Sequence, residues 1–204
     1  MPASASSLKL RDRLVTAARD LTALEGWMAL TMSKVAKLTG VSRQTVYNLL
    51  GDKQKLAETL VMNELARFLE IVDNAFEPRP DRLRDGVRMG VQGCLEYAAD
   101  NPLVREIIGA SYGQESELLK LVTTDSAMLR QVAVERLYTH ASGYESTITD
   151  EHLRSLCDMA VRLTLSMILS PEGTPAQMAE RVAWFAQQVF EAPTSASPRV
   201  VTSP

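Results

Sequence analysis

Between Thr31 and Lys53 the chain reads TMSKVAKLTGVSRQTVYNLLGDK, and no other stretch limits its fold as tightly. Ala36 is small where two short helices would cross, and Gly40 stands where a left-handed turn is cheap only for glycine. Val46 follows six residues later at an inward-facing position, and Val35, Val41 and Leu49 complete a small apolar wedge. Ser42 and Asp52 are both good helix N-caps, marking the starts of a second short helix and of the next helix about ten residues apart. The spacing predicts a helix-turn-helix. Its second helix offers Ser42, Arg43, Gln44, Thr45, Tyr47 and Asn48 on the outer face, side chains of a length suited to base edges and phosphates in a major groove. The competing reading of the spacing alone is a helical hairpin with a solvated polar face.

The net charge of −3 argues against a nucleic-acid partner only as an average. Residues 1–55 hold nine Lys and Arg (Lys9, Arg11, Arg13, Arg19, Lys34, Lys37, Arg43, Lys53 and Lys55) against four acids. The remainder holds thirteen against twenty-one. A basic module on an acidic body concentrates attraction for a polyanion at one end, and the body resists non-specific adhesion. With 204 residues and 46% apolar content the chain has enough material for a substantial core. Its apolar runs, such as Leu163 to Leu169, fall far short of the roughly 20 residues that span a bilayer. The N-terminus MPASASSLKLRDR lacks the apolar segment of a secretory signal, and Cys94 and Cys157 are the only cysteines. The expectation is a soluble, cytoplasmic protein with reduced thiols and no membrane partner.

Periodicity organises the rest. Leu10, Leu14, Ala17, Leu21 and Leu24 step by four and three along one helix face that ends at Gly26. Leu56, Leu60, Leu65, Leu69, Val72 and Phe76 predict a long helix from Asp52 to about Phe76, stopped by Pro78 and Pro80. Further helices are expected over 81–99, in a short piece after Asn101-Pro102, over 115–140 and over 149–169. The last begins at Thr174-Pro175-Ala176-Gln177, where Thr174 caps, Pro175 suits the first helical position and Gln177 returns the capping-box bond. No segment alternates with the period of a strand, so the fold class is all-α. The Pro, Ser, Ala and Thr-rich ends, 1–7 and 193–204, are expected to be disordered.

A basic three-helix head, a long fourth helix and an all-helical acidic body together resemble the tetracycline-repressor (TetR) family. The segment that carries the resemblance is the A-x-x-x-G-V-S-x-x-T-V-Y core (Ala36, Gly40, Val41, Ser42, Thr45, Val46, Tyr47) with the D-K-x-x-L start of the next helix (Asp52, Lys53, Leu56). The resemblance implies a helix-turn-helix DNA-binding domain over 1–52 and a helical ligand-binding and dimerisation domain over 53–192, followed by the tail. After Tyr47 the family often has an aromatic residue two or three positions on; here Asn48, Leu49 and Leu50 follow, and Leu50 is read as filling the apolar slot. By resemblance, Thr31 and Ser33 approach phosphates, Arg43, Gln44 and Thr45 face bases, and Tyr47 and Lys53 clamp the DNA backbone.

One recognition helix reads few bases, so the implied partner is a palindromic double-stranded operator met by a homodimer. The stripes Leu153, Leu156, Ala160, Leu163, Met167 and Met178, Val182, Phe185, Val189 are the expected four-helix interface, with intramolecular core as the alternative. The family's apolar effector cavity would be lined from Met89, Gly93, Cys94, Tyr97, Ile108, Tyr112, Met128 and Val132, with Arg105 and Arg162 for an anionic group. The effector would be an apolar or amphipathic small molecule. No metal site, cofactor or catalytic cluster is expected: His152 and Cys157 lie about 140° apart around a helix, and no phosphate-cradling loop or nucleophile elbow appears. The expected function is a ligand-responsive transcription regulator, a repressor in the first reading. The alternative is an activator, or a regulator whose body binds a protein instead of a small molecule.

Overall fold

The computed structural model describes residues 5–78, 80–109, 118 and 127–191. Among these residues there are nine α-helices and no strand. They are α1 (Ala5–Glu25), α2 (Met32–Thr39), α3 (Arg43–Leu50), α4 (Lys53–Phe76), α5 (Leu83–Asp100), α6 (Pro102–Gly109), α7 (Ala127–Ala141), α8 (Asp150–Leu169) and α9 (Pro175–Phe190). No helix among the described residues is long and apolar enough to cross a membrane. Helix α1 starts at Ala5, so residues 5–7, expected in a disordered tail, are helical. Apart from Leu118, the N-terminal part of the helix expected over 115–140 lies outside the described residues, as does the tail over 193–204.

The breaks fall where local chemistry puts them. Gly26 ends α1 at φ +84° and Gly40 ends α2 at φ +72°, both in the left-handed region that favours glycine. After Gly40 the Val41 N–H reaches back to the Ala36 carbonyl at 3.1 Å, which closes the α2 terminus and turns the chain sharply. Ser42 Oγ then accepts the Thr45 N–H at 3.1 Å, and Asp52 Oδ1 accepts the Lys55 N–H at 2.8 Å, starting α3 and α4. Thr174 and Gln177 form the reciprocal capping box of α9.

The chain packs as two compact units, Met1–Glu70 with Glu96–Leu129, and Ile71–Leu95 with Arg130–Pro204. The unit that holds the helix-turn-helix thus runs beyond residue 52, through the first part of α4 and on to α6. Its core is continuous from Leu14 and Ala18 of α1 through Val35, Val46 and Leu50 to Leu56 and Leu60 of α4 and Leu103 and Ile107 of α6. Leu50 is 2% exposed and belongs to this core.

The second unit is built on α8 and α9, whose Ala160, Ala179, Ala183 and Ala186 are nearly inaccessible and let the helices approach closely. There the Phe76 ring lies buried over α5 and stacks on His140 at 4.8 Å, and a Cβ added at Gly86 would come within 2.3 Å of that ring. Gly86→Ala is therefore expected to destabilise the protein by about 1–3 kcal/mol, more than the roughly 1 kcal/mol that alanine gains over glycine in a helix. Urea denaturation of the two proteins checks this, and an increase in stability would show that the ring moves aside at no cost.

Candidate nucleic-acid interface

The outer face of α3 is polar and exposed while its inner face is sealed. Val46 is 0% exposed, and Ser42, Arg43, Gln44, Tyr47 and Asn48 lie outward with Thr45 half-buried at the edge. The side chains are paired one turn apart. Gln44 Nε2 donates to Asn48 Oδ1 at 2.8 Å. Arg43 donates to Tyr47 Oη at 3.2 Å, with its guanidinium 5.3 Å from the ring centroid. Ser42 Oγ and Thr45 Oγ1 are 2.9 Å apart. A Gln amide held by one N–H keeps its second N–H and its carbonyl oxygen for a base edge, which is the bidentate pattern that reads adenine.

At the start of α2, Thr31 Oγ1 accepts the Lys34 N–H at 3.2 Å and Ser33 is exposed. A capped helix N-terminus of this kind presents backbone N–H groups and the positive end of the helix dipole to an anion.

Several basic residues counted in the sequence are committed inside the protein. Lys34 pairs with Glu25 at 2.6 Å, Lys55 with Glu58 at 2.6 Å and Arg19 with Glu64 at 3.0 Å. Glu58 and Glu64 lie beyond residue 55, so the positive excess of the first 55 residues is partly matched by acids that a linear count assigns elsewhere. Lys53, expected on the DNA backbone, donates from Nζ to the Trp27 carbonyl at 2.9 Å and sits 4.8 Å from the indole centroid. Trp27 itself, 1% exposed in the turn between α1 and α2, gives its backbone N–H to Glu106 of α6 at 2.9 Å. The one signal for Trp27 in the sequence is a large aromatic residue just after a helix-ending glycine.

The residues proposed to line an effector cavity are divided between the two units. In the first, Tyr97 is half-buried and donates to Glu64 at 2.6 Å, Arg105 is exposed, Ile108 is half-buried and Met128 is 64% exposed. Burial and the bond to Glu64 push the Tyr97 hydroxyl up to about 12, so it remains a donor. In the second, Met89 and Val132 lie at the surface, and Arg162 binds Asp158, which also accepts from Arg130. A Cβ at Gly93 would lie 2.7 Å from Ile71 Cγ2, so the glycine admits a neighbouring side chain where the sequence suggested cavity volume. Cys94 and Cys157 are buried, and burial pushes both thiols up to about 12, which keeps them protonated and unreactive. Tyr112 lies outside the described residues. An apolar cleft in the second unit is lined by Leu83, Val87, Leu137, Leu156 and Cys157, with none of the proposed effector residues on its wall.

Among the residues proposed for a dimer interface, Leu156 and Val182 are 5% and 1% exposed. They belong to the core of the second unit, where α8 and α9 use those faces to pack. Leu163, Met167, Phe185 and Val189 are half-buried at its margin. Met159 and Trp184, on α8 and α9, are largely exposed, and the sequence stripes missed both because they lie off the core-facing period.

A buried wedge behind a short polar helix, entered through a glycine turn and followed by a long helix, defines a helix-turn-helix DNA-binding protein. Residues 14–60 match the profile of bacterial regulatory proteins of the tetR family, and residues 82–188 that of the bacterial tetracyclin repressor C-terminal domain. The chain belongs to the TetR family and is a transcriptional regulator. It is 30% identical over 190 residues to the HTH-type transcriptional regulator AlkX of Mycobacterium tuberculosis, covering 91% of this chain and 89% of that protein. The crystal structure of the TetR family repressor AlkX from Dietzia sp. strain DQ12-45-1b, implicated in biodegradation of n-alkanes, matches with a TM-score of 0.68 at 28% identity over 89% of this chain and 97% of that one. A TetR-family regulator from Pectobacterium atrosepticum also reaches 0.68, over 93% of this chain and 96% of that one, but at 14% identity shows the fold alone.

Proposed function

We propose that this regulator is a homodimeric repressor that binds a palindromic operator through α3 and leaves it when an apolar or amphipathic small molecule binds the body. The observation that carries the DNA reading is the outward polar face of α3, with Gln44 and Arg43 each braced by a neighbour one turn on. Arg43, Gln44 and Thr45 read bases; Thr31, Ser33, Tyr47 and the capped start of α2 meet phosphates. The dimer forms through the partly exposed apolar side chains of α8 and α9, Met159 and Trp184 included. Likeness to a repressor implicated in n-alkane biodegradation supports an alkane or acyl chain as the effector class.

The test is selection of duplexes from a random pool by the full chain, followed by binding of the winners across a salt series and in the presence of dodecane or dodecanoate. An enriched palindrome is expected, with affinity falling as salt rises by a log–log slope of about 0.9 per phosphate contacted. A lipid-like probe that lowers operator affinity supports the effector class. Steep salt dependence with no enriched sequence would overturn the operator reading, and equal affinity with and without both probes would overturn the effector class.

A further inference from the structure

Residues 26–30 carry the chain out of α1 to Thr31, the N-cap of α2. This turn is anchored at several points. Trp27 and Leu30 are each 1% exposed. The Trp27 carbonyl accepts the Leu30 N–H at 3.2 Å, which closes the turn, and it also accepts Lys53 Nζ at 2.9 Å. The Ala29 carbonyl accepts Lys34 Nζ at 2.8 Å. Those partners come from the turn itself or from helices next to it in sequence. The Trp27 N–H instead goes to Glu106 Oε1 on α6, at 2.9 Å and 79 residues further along the chain. Gly26 is fitted to that bond, since a Cβ there would lie 3.1 Å from the same carboxylate oxygen.

A peptide N–H beside a buried indole needs an acceptor, because leaving it unmade forfeits the cost of removing it from water. A carboxylate makes the shorter and more directional bond, so Glu106 fixes where the Trp27 peptide stands. Trp27 in turn holds Lys53, whose ammonium rests against both its carbonyl and its ring. Thr31 follows the closed turn directly, and its oxygen caps the helix whose N–H groups face an anion. The charge of Glu106 opposes a polyanion near the head, so its contribution to DNA binding is one of geometry.

We infer that Glu106 is a positioning residue for DNA: through the Trp27 peptide it holds the start of α2 and the Lys53 ammonium where they meet a backbone phosphate. The inference rests on the phosphate-meeting role proposed above for the start of α2. All the groups involved belong to the unit that carries the helix-turn-helix.

Two substitutions separate geometry from charge. Glu106→Asp keeps the charge and withdraws the acceptor by one methylene, whereas Glu106→Gln keeps the reach and the acceptor oxygen and removes the charge. Both are compared with the unsubstituted full chain on the selected operator and on random duplex across a salt series, with affinities referred to the folded fraction given by circular dichroism. Glu106→Asp is expected to weaken both duplexes about fivefold at 0.15 M salt and to lower the log–log salt slope by about 0.9, the loss of one phosphate contact, with operator preference unchanged. Glu106→Gln is expected to bind at least as tightly as the unsubstituted protein, because it loses a negative charge and retains the bond. An unchanged salt slope in Glu106→Asp overturns the inference whatever its stability, and so does a Glu106→Gln that weakens binding as much as Glu106→Asp. Absence of salt dependence in the unsubstituted protein overturns the phosphate reading itself, which separates the two failures.

Discussion

Trp27→Ala is expected to destabilise the unit that carries the helix-turn-helix by about 3–5 kcal/mol, the range for removing a fully buried indole from a packed core. The side chain is 1% exposed and its turn is held from two sides, the backbone N–H by Glu106 and the carbonyl by Lys53. Truncation leaves a cavity in the core of this unit and removes the aromatic face on which the Lys53 ammonium rests. Because folded proteins hold a margin of only about 5–15 kcal/mol, this one change would consume a large share of it. Denaturation monitored by circular dichroism gives the loss, and Trp27→Phe should recover part of it. A loss below about 1 kcal/mol would mean that the turn collapses onto the vacancy and that Trp27 is not the keystone of this corner.

The second large effect concerns recognition. Gln44→Ala is expected to reduce the preference for the selected base at one position of each half-site by about 1–3 kcal/mol, roughly tenfold to a hundredfold, with affinity for random DNA nearly unchanged. Asn48→Ala should reproduce part of this loss, because it frees the Gln44 amide to rotate. Tyr47→Ala should instead weaken every duplex, as a phosphate contact does. Competition binding with operator variants and random duplex distinguishes these outcomes. Equal losses of Gln44→Ala on operator and on random DNA would remove Gln44 from base reading.

The helix-turn-helix was legible because its determinants are local. Gly40 needs a positive φ, Ser42 and Asp52 cap the helices that follow them, and the apolar period of α2 and α3 places Val35 and Val46 inward, all within about twenty residues of chain. The long α4 and the capping box of α9 were readable for the same reason. The proposed dimer stripes show where this logic stops. Periodicity finds the apolar face of α8 or α9, but Leu156 and Val182 lie in the core of the second unit, while Met159 and Trp184 lie at the surface. Hydrophobic spacing specifies that a face is covered and is silent about what covers it.

Charge shows the same division. Counting Lys and Arg along the chain located the basic end, yet Arg19 and Lys55 pair with acids beyond that stretch, and Lys53 spends a bond on the Trp27 carbonyl. The sequence by itself determined the class of fold, the family and the residues on the outer face of α3, since capping, turn strain and helical period act over a few neighbouring residues. Only the tertiary structure decided that Glu64 joins Arg19, Tyr97 and Asn101, and that Glu106 holds the turn at Trp27. Those partners lie 33 to 79 residues apart in the chain, and such a contact exists only once the intervening helices have packed. No local propensity or spacing encodes it.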